Sequence, residues 1–188
     1  KSKFGIAAER AVEEFTMASS LGHIEVVGVH AHIGSQLTEV TPFIEALRKV
    51  VTLIGTLKAQ GINIRYLNIG GGLGITYSDE KPPLPQELSN AILPLVQDLK
   101  LTLVMEPGRV IVGNAGILVT KALYLKEGDA KSFVIVDAAM NDLIRPAFYN
   151  AYHEIVPLTH KGGATVKTDV VGPICESSDY FCKDRPLP

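Results

Sequence analysis

Three apolar segments of this sequence each run into a short motif of glycine or polar residues, and helical patterns separate the segments. They are IEVVGVHAHIG (24–34), RYLNIGGG (65–72) and LTLVMEPGR (101–109). Short runs rich in Val, Ile and Leu that alternate with helices are typical of parallel βα units. The sequence therefore predicts an α/β fold in its first part, with the strand over 24–34 buried on both faces.

Helices are predicted over residues 5–20, 41–60 and 86–99. The first has an apolar stripe at Ile6, Val12, Phe15 and Met17. Thr41 is placed to cap the second helix, Pro42 suits its first turn, and Gly61 follows where it should stop. Pro94 predicts a kink in the third helix.

The pattern changes after about Gly116. Residues 117–140 predict two strands joined by a turn at Glu127, Gly128 and Asp129, and residues 165–173 predict another strand. We therefore expect an α/β domain over residues 1–115 and a β-rich domain over 116–188. A complete (βα)8 barrel needs about 250 residues, so the three predicted βα units form either a small open sheet or part of a barrel.

Composition narrows the classes of partner and compartment. The net charge of −2 provides no basic surface for nucleic acid. No apolar run approaches the ~20 residues that a membrane-spanning helix requires. The two cysteines, Cys175 and Cys182, do not make a disulfide framework, which favours a reducing, cytoplasmic compartment.

The strand-end motifs suit ligand binding, because ligands of parallel α/β folds lie at the carboxyl ends of the strands. Gly70, Gly71 and Gly72 follow the second strand. They can form a structural turn, or a nest of N–H groups that binds one phosphate. The motif lacks the third glycine of G-x-G-x-x-G, since Ile75 stands there, and the Lys-Ser/Thr of a P-loop.

His30 and His32 point to the same face of the first strand. They could ligate a metal, or one could lie over an aromatic cofactor ring while the other is a structural histidine. Ser35 follows the Gly34 turn and can donate to an anion.

Glu106 follows the third strand and begins the motif Glu-Pro-Gly-Arg. Pro107 and Gly108 predict a turn, which could simply carry a solvated ion pair. Alternatively, Glu106 can hold a protonated ring nitrogen, and Arg109 can bind a carboxylate or phosphate through two hydrogen bonds.

Cys175 and Glu176 follow Gly172 and Pro173. The plainer interpretation is a buried small hydrophobic residue beside a surface acid. The functional interpretation is a thiol that donates a proton, beside a carboxylate that binds a substrate ammonium.

HIGSQ, GGGLG, EPGR and CESSD, in this order, resemble the diaminopimelate decarboxylases, which belong to the alanine-racemase-like, fold-type III pyridoxal-phosphate enzymes. SKFG (2–5) and MNDLIRPAFY (140–149) resemble that family as well. The resemblance implies part of a pyridoxal-phosphate-binding (βα)8 TIM barrel, followed by part of a C-terminal β-sandwich or β-barrel domain. It also implies a homodimer with active sites at the interface, which decarboxylates meso-2,6-diaminopimelate to L-lysine.

The resemblance assigns a role to each matched position. The implied cofactor-binding residues are His32, Ser35, Gly70, Gly71, Gly72, Glu106, Pro107, Gly108 and Arg109. The implied substrate-binding residues are Arg109, Arg145, Tyr149 and Glu176. Cys175 and His32 are the implied catalytic residues: His32 would stack on the pyridine ring, and Cys175 would protonate the substrate carbanion in a neighbouring subunit's site. Glu106 would pair with the ring nitrogen, which favours decarboxylation, whereas a racemase would prefer Arg there.

The chain departs from the family pattern in two respects: it has no well-placed cofactor-binding lysine, and we expect the family's late phosphate-binding tyrosine to lie beyond Pro188. Three different functions stay open. The family's cofactor-binding lysine lies on an early strand, and Lys1 and Lys3 are poor candidates for it, so we expect this chain alone to be inactive. The first open function is an ornithine- or arginine-type decarboxylase, although these usually carry Asp where Glu176 stands. The second is a cofactor-free regulator on the same fold, and the third is a metal-dependent barrel hydrolase that uses His30 and His32.

Overall fold

Two separate sheets organise the chain in the computed structural model, which describes residues 3–128, 131–159 and 162–188. The first unit extends to Thr76 and resumes over Glu80–Ala115. The second unit comprises Tyr77–Asp79 and Gly116–Pro188. Lys1, Ser2 and Asp129, which enter the sequence-based expectations, lie outside the described residues.

The first unit contains a parallel three-stranded sheet. Its strands are β1 (Gly28–His30), β2 (Tyr66–Asn68) and β3 (Thr102–Val104), in the order β1-β2-β3. The last residues of the strands, His30, Asn68 and Val104, are in register. The predicted alternation of parallel strands and helices is therefore confirmed, and all three strand-end motifs leave the sheet at the same edge.

Two long helices cover the sheet through one apolar stripe each. They are α2 (Thr41–Ala59), between β1 and β2, and α3 (Pro85–Val96), between β2 and β3. The residues of this core with the least exposure are Val29, Phe43, Leu47, Ile54, Leu57, Ile64, Leu67, Leu88 and Ile92. Their spacing along both helices is close to whole turns, which is the reason that these segments are helical. A 3-10 turn (Gln97–Leu99) and the short helix α4 (Arg109–Val112) complete the unit after α3.

The first helix departs from its predicted stripe. A 3-10 turn (Ala8–Arg10) precedes α1 (Ala11–Ser19), so Ile6 lies ahead of the helix and is exposed. Ala11 is buried and Phe15, four residues later on the same face, packs on the core. Met17 is exposed because it lies two residues beyond Phe15, on the opposite side of the helix.

Two local expectations for β1 and α2 are wrong. β1 is only three residues long, and although Val29 is buried, His30 is exposed. The strand ends at His30, and Ala31 N–H makes one more backbone hydrogen bond, of 3.0 Å, to the carbonyl of Asn68, the last residue of β2. Thr41 does not cap α2: it is the first helical residue, Val40 occupies the cap position, and no side chain caps the helix.

The second unit contains a four-stranded mixed sheet in the order β4-β5-β6-β7. The strands are β4 (Ala122–Glu127), β5 (Ser132–Val136), β6 (Val166–Val171) and β7 (Tyr180–Leu187). The first three were predicted, whereas β7 and the short helix α5 (Arg145–Tyr149) were missed. The buried residues of this core are Val136, Ala138, Val170, Phe181 and Cys182. Among the described residues, no helix is both long and apolar enough to cross a bilayer.

Candidate functional site

The Glu106 carboxylate lies where the three strands of the first unit end. Asn68 Nδ2 donates to Glu106 Oε1 at 2.7 Å, and His30 Nε2 lies 3.2 Å from the same oxygen. The register of the sheet explains this convergence, since His30 and Asn68 are partners at the ends of adjacent strands. The Glu106 side chain remains 49% exposed, so the carboxylate is held by the protein and also accessible to a ligand.

The glycines after β2 allow three loops to touch. A Cβ atom on Gly71 would overlap the carbonyl oxygen of Glu106, and one on Gly72 would overlap that of Gly34. Gly72 also has a φ of +106°, which side chains rarely adopt. Glycine is therefore required at these positions for structural reasons, because it allows the turn at Gly34 and the segment at Glu106 to pack against one loop.

The N–H groups of these glycines are not equivalent. Gly70 N–H donates to Asn68 Oδ1 at 2.8 Å, and Gly71 N–H makes a longer hydrogen bond of 3.3 Å to His32 Nδ1. Gly72 N–H has no hydrogen-bond partner among the described residues. The bond from Gly71 also fixes the imidazole of His32, because Nδ1 must be an acceptor and the ring proton then lies on Nε2.

Gln36 connects the turn after β1 to Arg109. Its Oε1 accepts from Ile75 N–H at 3.2 Å and from Arg109 Nη1 at 3.1 Å, and its Nε2 donates to Ile75 O at 2.5 Å. Gln36 has a φ of +58° and follows Ser35, whose side chain is exposed. Arg109 opens α4 directly after Pro107 and Gly108, which are both exposed.

Sequence reasoning missed Asn68 and Gln36. Both lie within the strand-end motifs as polar residues: Asn68 is the last residue of β2, and Gln36 is the last residue of HIGSQ. That position is the signal that could have identified them. His30, interpreted as one of a pair with His32, instead contacts Glu106.

The second unit holds the predicted residues Arg145 and Tyr149 on α5. Arg145 Nη1 lies 3.1 Å from His153 Nε2, and its guanidinium carbon lies 4.9 Å from the centre of the Tyr77 ring. Tyr149 is 67% exposed and packs edge-on against Phe148. Arg145 is therefore oriented by two aromatic rings, while the hydroxyl end of Tyr149 is accessible.

Cys175 and Glu176 lie on the loop between β6 and β7. Cys175 is a free, exposed thiol. Glu176 Oε1 accepts from the N–H and the Oγ of Ser178, at 3.2 and 3.3 Å. The interpretation of Cys175 as a buried hydrophobic residue is thus wrong, and the loop presents thiol and carboxylate on adjacent residues.

Asp179, which sequence reasoning also missed, anchors this loop. Its side chain is buried, with Oδ2 accepting from Ile174 N–H at 2.8 Å and Oδ1 from Met140 N–H at 2.6 Å. Its own N–H donates to the carbonyl of Glu176 at 3.0 Å. Asp179 therefore joins the loop of Cys175 to the segment that leads into α5.

Residues 1–113 match the family model described as "Pyridoxal-dependent decarboxylase, pyridoxal binding domain". This match covers more than half of the chain.

The chain belongs to the pyridoxal-dependent decarboxylase family.

Similarity to curated relatives extends over the whole chain. The diaminopimelate decarboxylase of Aquifex aeolicus is 50% identical over 188 residues, which are 100% of this chain and 45% of that protein. The diaminopimelate decarboxylase of Vibrio cholerae is 51% identical over 187 residues, or 99% of this chain and 45% of that protein. This decarboxylase-family chain therefore spans about half the length of the curated relatives that it matches.

A solved structure agrees with these similarities. Diaminopimelate decarboxylase from Helicobacter pylori, complexed with L-lysine, superposes with a TM-score of 0.91 at 45% identity. The match covers 100% of this chain and 47% of that one. The predicted fold class is confirmed: the chain is part of a (βα)8 barrel followed by part of a β-rich domain.

Proposed function

We propose that the full-length protein decarboxylates meso-2,6-diaminopimelate to L-lysine with pyridoxal 5'-phosphate as its cofactor. The observation that carries the proposal is the Glu106 carboxylate, held by Asn68 and His30 at the common edge of three parallel strands. The diaminopimelate decarboxylase relatives support this substrate, as does the L-lysine in the solved relative, because L-lysine is the product of the proposed reaction.

The first unit offers groups that match the two ends of the cofactor. Glu106 provides a negative oxygen for a protonated ring nitrogen, and the exposed His32 provides a flat ring to stack on the pyridine. The exposed Ser35 and the N–H of Gly72 provide donors for the phosphate, and Gly34 contacts Gly72 directly. Gly70 and Gly71 serve the phosphate by shaping the loop, since their N–H groups donate within the protein.

Pyridoxal phosphate held by these residues would supply an acceptor for the electron pair of the Cα–carboxylate bond that breaks in the substrate. Glu106 supports this step by keeping a negative charge against the ring nitrogen. Cys175 then delivers the proton of its thiol to Cα, which completes the exchange of carbon dioxide for hydrogen. A positioned acid of this kind contributes ~10²–10⁴-fold to the rate.

Substrate recognition is proposed for the remaining predicted residues. Arg109, Arg145 and Tyr149 bind carboxylate groups of the substrate, with Pro107 and Gly108 forming the turn that leads to Arg109. Glu176 binds the distal ammonium through its carboxylate, which Ser178 orients. The far end of diaminopimelate carries both a carboxylate and an ammonium. A site that binds this end therefore needs a positively charged and a negatively charged side chain.

Assembly, compartment and domain boundaries are part of the same proposal. We propose a homodimer in which Cys175 reaches the active site of the neighbouring subunit, and a cytoplasmic location consistent with two free cysteines. We propose domains over residues 1–115 and 116–188. The division between the compact units after Ala115 supports that boundary.

The substrate test compares diaminopimelate with ornithine and arginine on the full-length protein loaded with pyridoxal phosphate. Carbon dioxide release should be fastest with meso-diaminopimelate. Faster release from ornithine or arginine would overturn the substrate assignment in favour of an ornithine- or arginine-type decarboxylase. A protein that develops no visible absorption band with the cofactor would instead be the non-catalytic regulator.

A further inference from the structure

We infer that Asn68 and His30 are positioning residues that hold Glu106 Oε1, so that Oε2 is the oxygen that meets the ring nitrogen of the cofactor. This inference deepens the proposed function and rests on it. Both contacts converge on Oε1, at 2.7 Å from Asn68 and 3.2 Å from His30. None of the described residues donates a hydrogen bond to Oε2.

Asn68, Gly70 and Glu106 form a closed ring of hydrogen bonds. Glu106 N–H donates to the carbonyl of Gly70 at 2.9 Å, and Gly70 N–H donates to Asn68 Oδ1 at 2.8 Å. Asn68 Nδ2 completes the ring by donating to Glu106 Oε1 at 2.7 Å. Each bond constrains the next, so the carboxylate is tied to the backbone of its own residue through the neighbouring loop.

The orientation of the Asn68 amide follows from this ring. A backbone N–H requires an acceptor, so the bond from Gly70 fixes Oδ1 on that side. The amide nitrogen must then face Glu106, which as a carboxylate can only accept. Asparagine supplies an acceptor and a donor in one planar group, which aspartate cannot do when ionised.

His30 adds a second donor from the next strand. It is paired with Asn68 in the sheet register, which places its side chain beside the same carboxylate. Since the carboxylate oxygen can only accept, the facing Nε2 must carry a proton. The His30 side chain is 53% exposed, so we expect its contribution to be smaller than that of Asn68.

Holding one carboxylate oxygen prepares the other for a ligand. An exposed glutamate ordinarily samples several rotamers, and freezing them on binding weakens affinity. With Oε1 fixed, Oε2 is already oriented before the cofactor binds. Loss of the Asn68 amide should therefore weaken cofactor binding and reduce protonation of the ring nitrogen.

The test measures the cofactor in the full-length protein by two readouts that do not depend on turnover. Dissociation constants come from titration with pyridoxal phosphate, and the protonation of the ring nitrogen comes from the chemical shift of ¹⁵N-labelled pyridoxal phosphate. Asn68→Ala should weaken binding by ~10-fold, the size expected for one hydrogen bond to a charged group. It should also move the ¹⁵N resonance toward that of the unprotonated ring, and His30→Ala should act in the same direction less strongly.

Matched controls use the same residue types at exposed positions away from the strand ends. Asn63→Ala and His23→Ala should leave both readouts at the wild-type values. If Asn68→Ala does not fold, Asn68→Asp replaces it as the test variant, because aspartate keeps the acceptor for Gly70 N–H. It replaces the donor with a second negative charge beside Glu106, which should also weaken cofactor binding.

The outcomes separate this inference from the proposed function. A wild-type protein that does not bind pyridoxal phosphate contradicts both. A wild-type protein that binds it with a protonated ring nitrogen, while Asn68→Ala or, in its place, Asn68→Asp matches the wild type in affinity and ¹⁵N shift, contradicts the positioning role alone.

Discussion

Cys175 and Cys182 lie seven residues apart in the same unit, yet their surroundings give them different chemistry. Cys182 is 5% exposed, on β7, and burial raises the pKa of its thiol, which keeps it protonated and unreactive. Cys175 is exposed on a loop whose shape Asp179 maintains. At the scale of the residue, accessibility makes Cys175 the thiol that can take part in proton transfer.

The cysteine pair provides a matched prediction. In the full-length enzyme, Cys175→Ala should lower kcat by at least ~10-fold, because a general acid of the reaction is lost. Cys182→Ala should leave kcat unchanged and lower the thermal midpoint, because it removes a buried sulfur from the core. Equal turnover of wild type and Cys175→Ala in a steady-state assay of carbon dioxide release would remove Cys175 from the mechanism.

At the scale of the element, two loops are held by contacts that leave little freedom. The loop after β2 packs against the carbonyl groups of Gly34 and Glu106, and the loop between β6 and β7 wraps around the carboxylate of Asp179. In both loops, glycine permits the close approach: Gly172 lies so near the Asp179 carboxylate that a Cβ atom would overlap it.

Substitution of two glycines by alanine should have opposite effects on stability. Gly72→Ala should destabilise the protein by ~1–3 kcal/mol, because its Cβ would overlap the carbonyl of Gly34. Gly55→Ala, inside α2 with nothing within 4 Å of the new Cβ, should stabilise by ~0.5–1 kcal/mol. Thermal unfolding of both variants measures this, and a Gly72→Ala protein as stable as wild type would show that the close approach is absent.

Asp179→Asn tests the anchor of the second loop. The amide nitrogen would face one of two backbone N–H groups that now donate to the carboxylate, donor against donor, at a cost of ~1–3 kcal/mol. Faster amide exchange at Ile174 and Met140, with a lower thermal midpoint, is the expected result. Asp98→Asn, at an exposed turn, is the control and should change stability by less than ~0.5 kcal/mol. Unchanged exchange at both amides would contradict the anchoring role.

The parts of the fold that the sequence predicted depend on local signals. Apolar spacing, Pro42 and Gly61 located α2 to within a residue, because helix bounds are set by near neighbours. The strands of the second unit were found for the same reason, except β7, whose sequence includes charged residues and Pro186.

The site residues that the sequence did not reveal have distant partners. Asn68 bonds to a residue 38 positions away, Gln36 to one 73 positions away, and Asp179 to one 39 positions away. No local pattern encodes such pairs. The motifs predicted which segments would meet, while the side chains that fix their geometry became visible only in the folded structure.

At the scale of the whole molecule, the chain joins part of a barrel to part of a β-rich domain, and the proposed activity needs residues from both. It spans 45% of the length of its Aquifex aeolicus relative. Experiments on function therefore belong to the full-length protein. The proposal depends above all on one feature of the barrel part: the shared edge of three strands binds pyridoxal phosphate with Glu106 at its ring nitrogen.

A crystal structure of the full-length protein with bound pyridoxal phosphate would show this arrangement or refute it. We expect Glu106 Oε2 at about 2.7–2.9 Å from the ring nitrogen, the distance of a charge-assisted hydrogen bond. We also expect the phosphate in contact with Ser35 and the N–H of Gly72. A cofactor bound elsewhere, or one whose ring nitrogen faces a group other than Glu106, would contradict the proposal.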